Sequence, residues 1–198
     1  MKPNTEQRDV SRHGIGREST FKIAANAQAF DILSSKLYTD PKLAIVRELS
    51  TNAYDAQVEA GTHEKPFKVH LPNDFEAYFS IRDFGTGLSP EAVETIYTTY
   101  FASTRNESDE YTGALGLGSK SPFSYTEQFT VTSYHNGRAY TYSAFKAENG
   151  SPSIALMSDQ PTSEPNGVEI RINIHSRDFW DFEKAARKVY RFFPVKPE

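Results

Sequence analysis

The chain has no cysteine among its 198 residues. Disulfide staples and thiolate nucleophiles are therefore excluded, and the composition is compatible with a reducing compartment. No apolar run approaches the ~20 residues that span a bilayer, and from the opening residues no secretory leader is expected. Acidic residues outnumber basic ones, 26 against 22, for a net charge of −4. That balance argues against a general nucleic-acid binder, although local basic patches stay open. The five histidines, at 13, 63, 70, 135 and 175, fall at no metal-ligand spacing. There is no Gly-x-Ser-x-Gly elbow, and Ser, His and Asp are too scattered to nominate a hydrolase triad. A chain of this length forms one domain burying about 70% of its unfolded surface, with no need of a covalent staple.

What the chain does contain is concentrated in three segments. The first runs from Arg47 to Ala56 and places Glu48, Asn52 and Asp55 at spacings of four and three. On a helix those offsets put a carboxylate, a carboxamide and a second carboxylate on one stripe. Ile45, Val46, Leu49, Ala53 and Ala56 form an adjoining apolar stripe, so the polar trio sits beside the core. Taken alone, the segment also fits a solvated helix face.

The second segment is Ile81-Arg82-Asp83-Phe84-Gly85-Thr86-Gly87-Leu88, in which a strand-like run delivers Asp83 to a turn with glycines at alternate positions. Those glycines allow a sharp bend and a close approach of backbone to a ligand, and an ionised aspartate, an acceptor only, suits an exocyclic amine. An ordinary turn has the same composition.

The third runs from Thr112 to Phe123 and holds Gly113, Gly116 and Gly118, then Ser119, Lys120 and Ser121. Amides in such a segment can converge on phosphate oxygens at a helix start, and Lys120 adds a charge. A flexible hinge is the alternative. Neither the Rossmann order of glycines nor the Walker pattern is present.

Around these segments the organisation is legible. Residues 1–19 are polar, with arginines at 8, 12 and 17, and are expected to form a mobile arm, and 20–198 the domain. Helices are expected over Ala25 to Leu37 and Pro41 to Ala60, the latter capped by Asp40 with Pro41 in its first turn. Strands follow near 66–72 and 76–82, then a short helix capped by Ser89. From about Tyr97 to Gly113 the chain turns to Thr, Ser, Asn, Asp and Glu, the composition of a lid that orders around ligand, and the lid is expected over about 97–118; Arg105 within it is a phosphate contact or a plain surface arginine. Strands are expected near 127–134, 138–146, 152–158 and 167–175, with Asn136-Gly137 as a hairpin turn. The last helix spans Asp178 to Phe193, with Trp180 expected to anchor in the core. Helices and strands first, then a strand meander, suit an α+β sandwich with helices on one sheet face.

In this order, Glu-x-x-x-Asn-x-x-Asp-Ala, Asp-x-Gly-x-Gly and Gly-x-x-Gly-x-Gly, the three segments resemble those of the GHKL or Bergerat-fold ATPases. That resemblance implies a two-layer α/β sandwich on a mixed, mostly antiparallel sheet, binding ATP with Mg2+. It implies Glu48 as general base on the attacking water and Asn52 as the magnesium ligand, with Asp55 and Ala56 beside the nucleotide. Asp83 would accept from the adenine amine, which selects ATP over GTP. Gly85, Gly87 and Leu88 would line the base pocket, and Gly113, Gly116, Leu117, Gly118, Ser119 and Lys120 the phosphate loop. Residues 30–39, 46–49, 100–104 and 116–126 are similar to segments of the RIIA-like phage rapid-lysis family. That further likeness implies a role in lysis inhibition or prophage exclusion in the infected host cytoplasm, either free or peripheral to the inner membrane. A nucleotide-dependent homodimer and a companion phage or host protein are implied as partners, with no direct nucleic-acid contact.

Two departures limit the match. Several relatives place a Gly-Thr pair at the adenine site; here the segment reads Gly167-Val168-Glu169, so Val168 lacks the hydroxyl, and a water or Glu169 would have to compensate. Relatives also bring a basic residue to the terminal phosphate from a following transducer domain, whereas this sequence ends at Glu198, as if it were the N-terminal part of a longer protein. Slow hydrolysis is expected, and a nucleotide-gated interaction module with negligible turnover is the alternative reading.

Overall fold

The computed structural model describes residue 32, residues 38–98, 118–148 and 150–198. The expected arm over 1–19, nearly all of the helix expected over 25–37 and most of the expected lid lie outside them.

Helix α1, Pro41–Glu59, starts as its sequence requires: the Asp40 side chain accepts from the Leu43 amide at 3.1 Å, and Pro41 needs no amide partner in the first turn. Its end is equally specific. Gly61 takes φ +69°, its amide donates to Val58 O at 3.0 Å, and Thr62 N donates to Gln57 O at 2.8 Å. These paired bonds satisfy two orphan carbonyls and redirect the chain.

Strands β1 (Lys68–His70) and β2 (Tyr78–Arg82) follow, then helix α2 (Pro90–Thr98), capped by Ser89, whose Oγ accepts from Ala92 N at 3.2 Å. Residues Gly118–Ser124 form a 3-10 helix instead of an α-helical start; Pro122 has no amide to close an α-helical bond to the carbonyl of residue 118. β3 (Gln128–His135) and β4 (Arg138–Lys146) make a hairpin over Asn136 and Gly137, both at positive φ, 50° and 76°. β5 (Pro152–Pro161), β6 (Gly167–Asn173), a short 3-10 helix (Ser176–Asp178) and helix α3 (Phe179–Tyr190) follow.

The six strands lie in the order β1-β2-β6-β3-β4-β5, and every pairing among the described residues is antiparallel. Register aligns Val69, Ile81, Ile170, Val131 and Tyr142 across five strands on one face. Alternate residues there bury Phe79, Ile172, Phe129 and Ala144 in the same layer. Against it pack Ile45, Val46, Leu49 and Ala53 of α1 and Phe182, Ala185, Ala186 and Val189 of α3. The opposite face carries Arg82, Glu169, Arg171, Thr130, Thr132 and Thr141, so the helices occupy one side, as the α+β pattern requires.

Trp180 corrects an expectation, being 65% exposed. It precedes the buried Phe182 by two residues, a rotation of about 200° on a helix, which turns it to the far side. There Lys184 Nζ sits 5.0 Å from its ring centre.

The starts of α1 and α3 are joined by an ion-pair cluster. Lys42 Nζ donates to Asp178 Oδ1 and to Asp181 Oδ2, both at 2.5 Å, and the Tyr125 hydroxyl donates to Asp178 Oδ2 at 2.8 Å. Burial on its own raises the Asp178 carboxyl, but the bonds from Lys42 and Tyr125 outweigh it and hold the group below its ordinary 3.8. A depressed carboxylate adds stability above its unfolded value and loses it as pH falls through the folded one. Urea-unfolding midpoints are therefore expected to fall as pH drops below about 4. In Asp178→Asn that part of the acid slope should be absent, at the cost of lower stability at neutral pH.

Candidate functional site

The α1 stripe organises the site. Ala53 and Leu49 are buried on the core side, while Glu48 and Asn52 are partly buried beside it and Asp55 is 1% exposed. One oxygen of Glu48, Oε1, accepts from Arg47 Nη2 at 2.7 Å and Nε at 3.2 Å. The other faces Gly118. A Cβ built on Gly118 would lie 3.1 Å from Glu48 Oε2, 3.1 Å from Asn52 Nδ2 and 3.5 Å from Asn52 Oδ1. The end of the glycine segment therefore lies directly on the acid and the carboxamide, with little room for a side chain between them.

One helical turn further along α1, about 5–6 Å of rise, the second segment meets the same helix. A Cβ on Gly85 would come within 2.8 Å of Ala56 O and 3.1 Å of Ala56 Cβ. Two polar side chains near the end of α1 hold this turn in place. Gln57, 1% exposed, accepts from Phe84 N at 3.3 Å through its amide oxygen and donates to Lys65 O at 2.8 Å and Thr62 O at 3.2 Å. Thr62 Oγ1 donates to Phe84 O at 3.1 Å. Gly87 takes φ +70°, and a Cβ there would strike the carbonyl of Tyr134.

Asp83 extends the β2–β6 ladder by one step, its amide donating to Val168 O at 3.0 Å, while its Oδ1 accepts from Gly85 N at 2.9 Å. The residue is 6% exposed. Alternation from Ile81 puts its side chain on the helix-bearing face, in one row with Val168 and Ser133. The hydroxyl lacking at Val168 is thus present one strand away, where Ser133 Oγ accepts from Leu88 N at 2.8 Å and donates to Leu88 O at 2.7 Å. Glu169 cannot compensate as expected: it pairs with Arg82 in register and faces the opposite side of the sheet.

Lys120 is 1% exposed, and its ammonium donates to Ile96 O in the last turn of α2 at 2.5 Å. Burial lowers its pKa to about 8. Ser119 is half-buried next to Gly118. Gly113, Gly116, Leu117 and Arg105 lie outside the described residues. Sequence reasoning missed Gln57, Thr62 and Ser133. Only the placement of Gln57 two residues after Asp55, on the buried side, carried a signal for any of them.

The donor set suits a hard, octahedral cation held mainly by a ligand. Among the described residues no group of three or more His, Cys, Asp or Glu side chains converges. Magnesium takes one or two protein oxygens and completes its shell with phosphate and water, and Asn52 beside the glycine turn offers such an oxygen.

An antiparallel sheet covered on one face by helices, with an acid and a carboxamide on the covering helix seated against a glycine turn, defines a domain of the GHKL ATPase type. Residues 38–166, about two thirds of the chain, match the model of the Histidine kinase-, DNA gyrase B-, and HSP90-like ATPase family, and the chain belongs to that family. It is also 38% identical over 65 residues to [Pyruvate dehydrogenase (acetyl-transferring)] kinase 1, mitochondrial, of Saccharomyces cerevisiae. That stretch is 32% of this chain and 16% of the relative, so the chain spans a small part of that relative's length. Among the described residues no helix is long and apolar enough to cross a membrane.

Proposed function

We propose that the domain binds Mg-ATP between α1, the Asp83 turn and the glycine segment, and hydrolyses it slowly. The observation that carries this reading is the seating of Gly118 on Glu48 and Asn52, with Gly85 meeting Ala56 one turn of α1 beyond Asn52. It supports a single cleft in which Glu48 and Asn52 on α1 face one end of the nucleotide and the turn that carries Asp83, seated on the same helix through Gly85, faces the other. A relative named as a kinase adds support for a nucleoside triphosphate.

In this reading Asp83 accepts from the purine amine, with Gly85, Gly87, Leu88 and Val168 around the base and Asp55 and Ala56 beside it. Gly113, Gly116, Leu117, Gly118 and Ser119 cradle the phosphates, and Lys120 adds charge from behind the turn. Asn52 would hold Mg2+, which when bound neutralises phosphate charge. Glu48 Oε2 orients a water toward the terminal phosphorus and takes its proton as the new P–O bond forms. The bond to ADP breaks on the opposite side, and inorganic phosphate and ADP leave.

Nucleotide-controlled closure over 97–118 and dimerisation follow as the output, and the RIIA-like segments point to a phage protein controlling lysis with a companion protein in the host cytoplasm. Calorimetric titration tests the reading. Mg-ATP and ADP are expected to bind, GTP more weakly, and EDTA to weaken ATP. Absence of heat with all three nucleotides would overturn it.

A further inference from the structure

Behind the Asp83 turn, on the sheet face away from the helices, lies an arginine that the proposed chemistry does not use. Arg82 is 7% exposed although it sits on the polar face of β2. Its guanidinium carbon is 4.1 Å from the Tyr134 ring centre and 5.0 Å from that of Phe84. Nη1 donates to the Asp83 carbonyl, and Nη2 donates to Pro165 O at 2.6 Å. The two carbonyls belong to segments far apart in sequence: the turn that presents Asp83, and the loop that leads into β6. β6 begins at Gly167, whose φ of +140° and missing side chain leave the room the guanidinium occupies; a Cβ there would meet both Arg82 Nη1 and Asp83 O.

The ladder between β2 and β6 ends where these groups meet. Past Arg82 and Glu169 the next link is the single bond from Asp83 N to Val168 O. Without Arg82 both carbonyls would lose these partners, and at Asp83, which is 6% exposed, losing a partner for a buried carbonyl is costly. A planar fork of five donors on a ring face can hold two carbonyls in fixed relation, which an ammonium cannot. Burial pushes the Arg82 guanidinium below its usual range, a cost such a charge bears only where its bonds are in place.

We infer that Arg82 is a positioning residue for base selectivity: it clamps the Asp83 turn to the loop before β6, and so holds the Asp83 carboxylate on the helix-bearing face where it reads a purine amine. This rests on the nucleotide reading above, and deepens it by assigning the base end of the site a support from the other side of the sheet. The phosphate end, at Glu48, Asn52 and Gly118, lies against α1 on the other face of the sheet from the guanidinium and should be indifferent to the clamp.

The test uses the full chain with three probes: Mg-ATP, the triphosphate of purine riboside, which lacks the exocyclic amine, and Mg-tripolyphosphate, which lacks the base. Arg82→Lys and Arg82→Gln are compared with wild type, and Tyr134→Leu, which removes the ring beneath the guanidinium, supplies a variant with Arg82 itself intact. The preference for ATP over the amine-free analogue is expected to fall about tenfold in Arg82→Lys and Arg82→Gln, the scale of one charge-assisted hydrogen bond. It should fall less in Tyr134→Leu, and tripolyphosphate affinity should stay at the wild-type value throughout. Wild-type preference retained in both Arg82 variants overturns the clamp alone. Parallel loss of ATP and tripolyphosphate binding also overturns it, since that is what general destabilisation does. A wild type with no preference for ATP overturns the reading of Asp83 and this inference with it.

Discussion

Replacing Glu48 with glutamine is expected to leave Mg-ATP affinity at the wild-type level and to slow phosphate release by about 10²- to 10⁴-fold, the usual contribution of a positioned general base. The substitution keeps the shape of the side chain and its ability to accept from Arg47 Nη2, which lies 2.7 Å from Oε1. What it removes is the carboxylate oxygen that faces Gly118 and would take a proton from water. An effect on turnover without an effect on binding is the mark of an interaction made only in the transition state. The check is single-turnover release of phosphate from ATP labelled at the terminal position, run beside calorimetry on the same preparations. Equal release rates in wild type and Glu48→Gln would remove the base from the mechanism. A wild type that binds but releases nothing would favour a nucleotide-gated interaction module.

Much of this arrangement was legible in the sequence, because it depends on local spacing. The offsets of Glu48, Asn52 and Asp55 fix a helical stripe wherever the helix goes, and Asp40-Pro41 and Asn136-Gly137 fix a cap and a hairpin through the backbone angles they favour. The resemblance to a nucleotide-binding family then connected three stretches that spacing alone leaves separate. What stayed hidden depends on partners distant in the chain. The insertion of β6 between β2 and β3 pairs Arg82 with Glu169 and Tyr134 with Gly167, and no local pattern encodes that order. Once it is known, alternation settles the rest: Glu169 turns away from Asp83, Ser133 joins the row of Val168, and Arg82 arrives behind the turn. Trp180 was misplaced for a simpler reason. A helix dense in aromatics leaves the buried face ambiguous until a partner surface chooses it, and the sheet chose Phe182, Ala185, Ala186 and Val189.

Substituting Asp83 with asparagine is expected to weaken Mg-ATP binding by about 10- to 100-fold, the cost of losing a hydrogen bond to a charged acceptor, and to turn the base preference toward a 6-oxo purine. The direction follows from the bond that already orients the side chain. Oδ1 accepts from the Gly85 amide at 2.9 Å, so in the variant the carboxamide oxygen must take that position and its NH2 group the other. A donor then stands where an acceptor stood, and it opposes the amine of adenine but complements the carbonyl of hypoxanthine. Alanine at the same position removes both interactions and should lose ATP affinity without gaining the inosine nucleotide. Titration of the three proteins with ATP and inosine triphosphate separates these outcomes. If Asp83→Asn bound ATP as tightly as wild type, the carboxylate would not be the base reader. A loss equal for both nucleotides would instead mean that the turn had moved, because a change confined to donor and acceptor must affect the two bases in opposite senses.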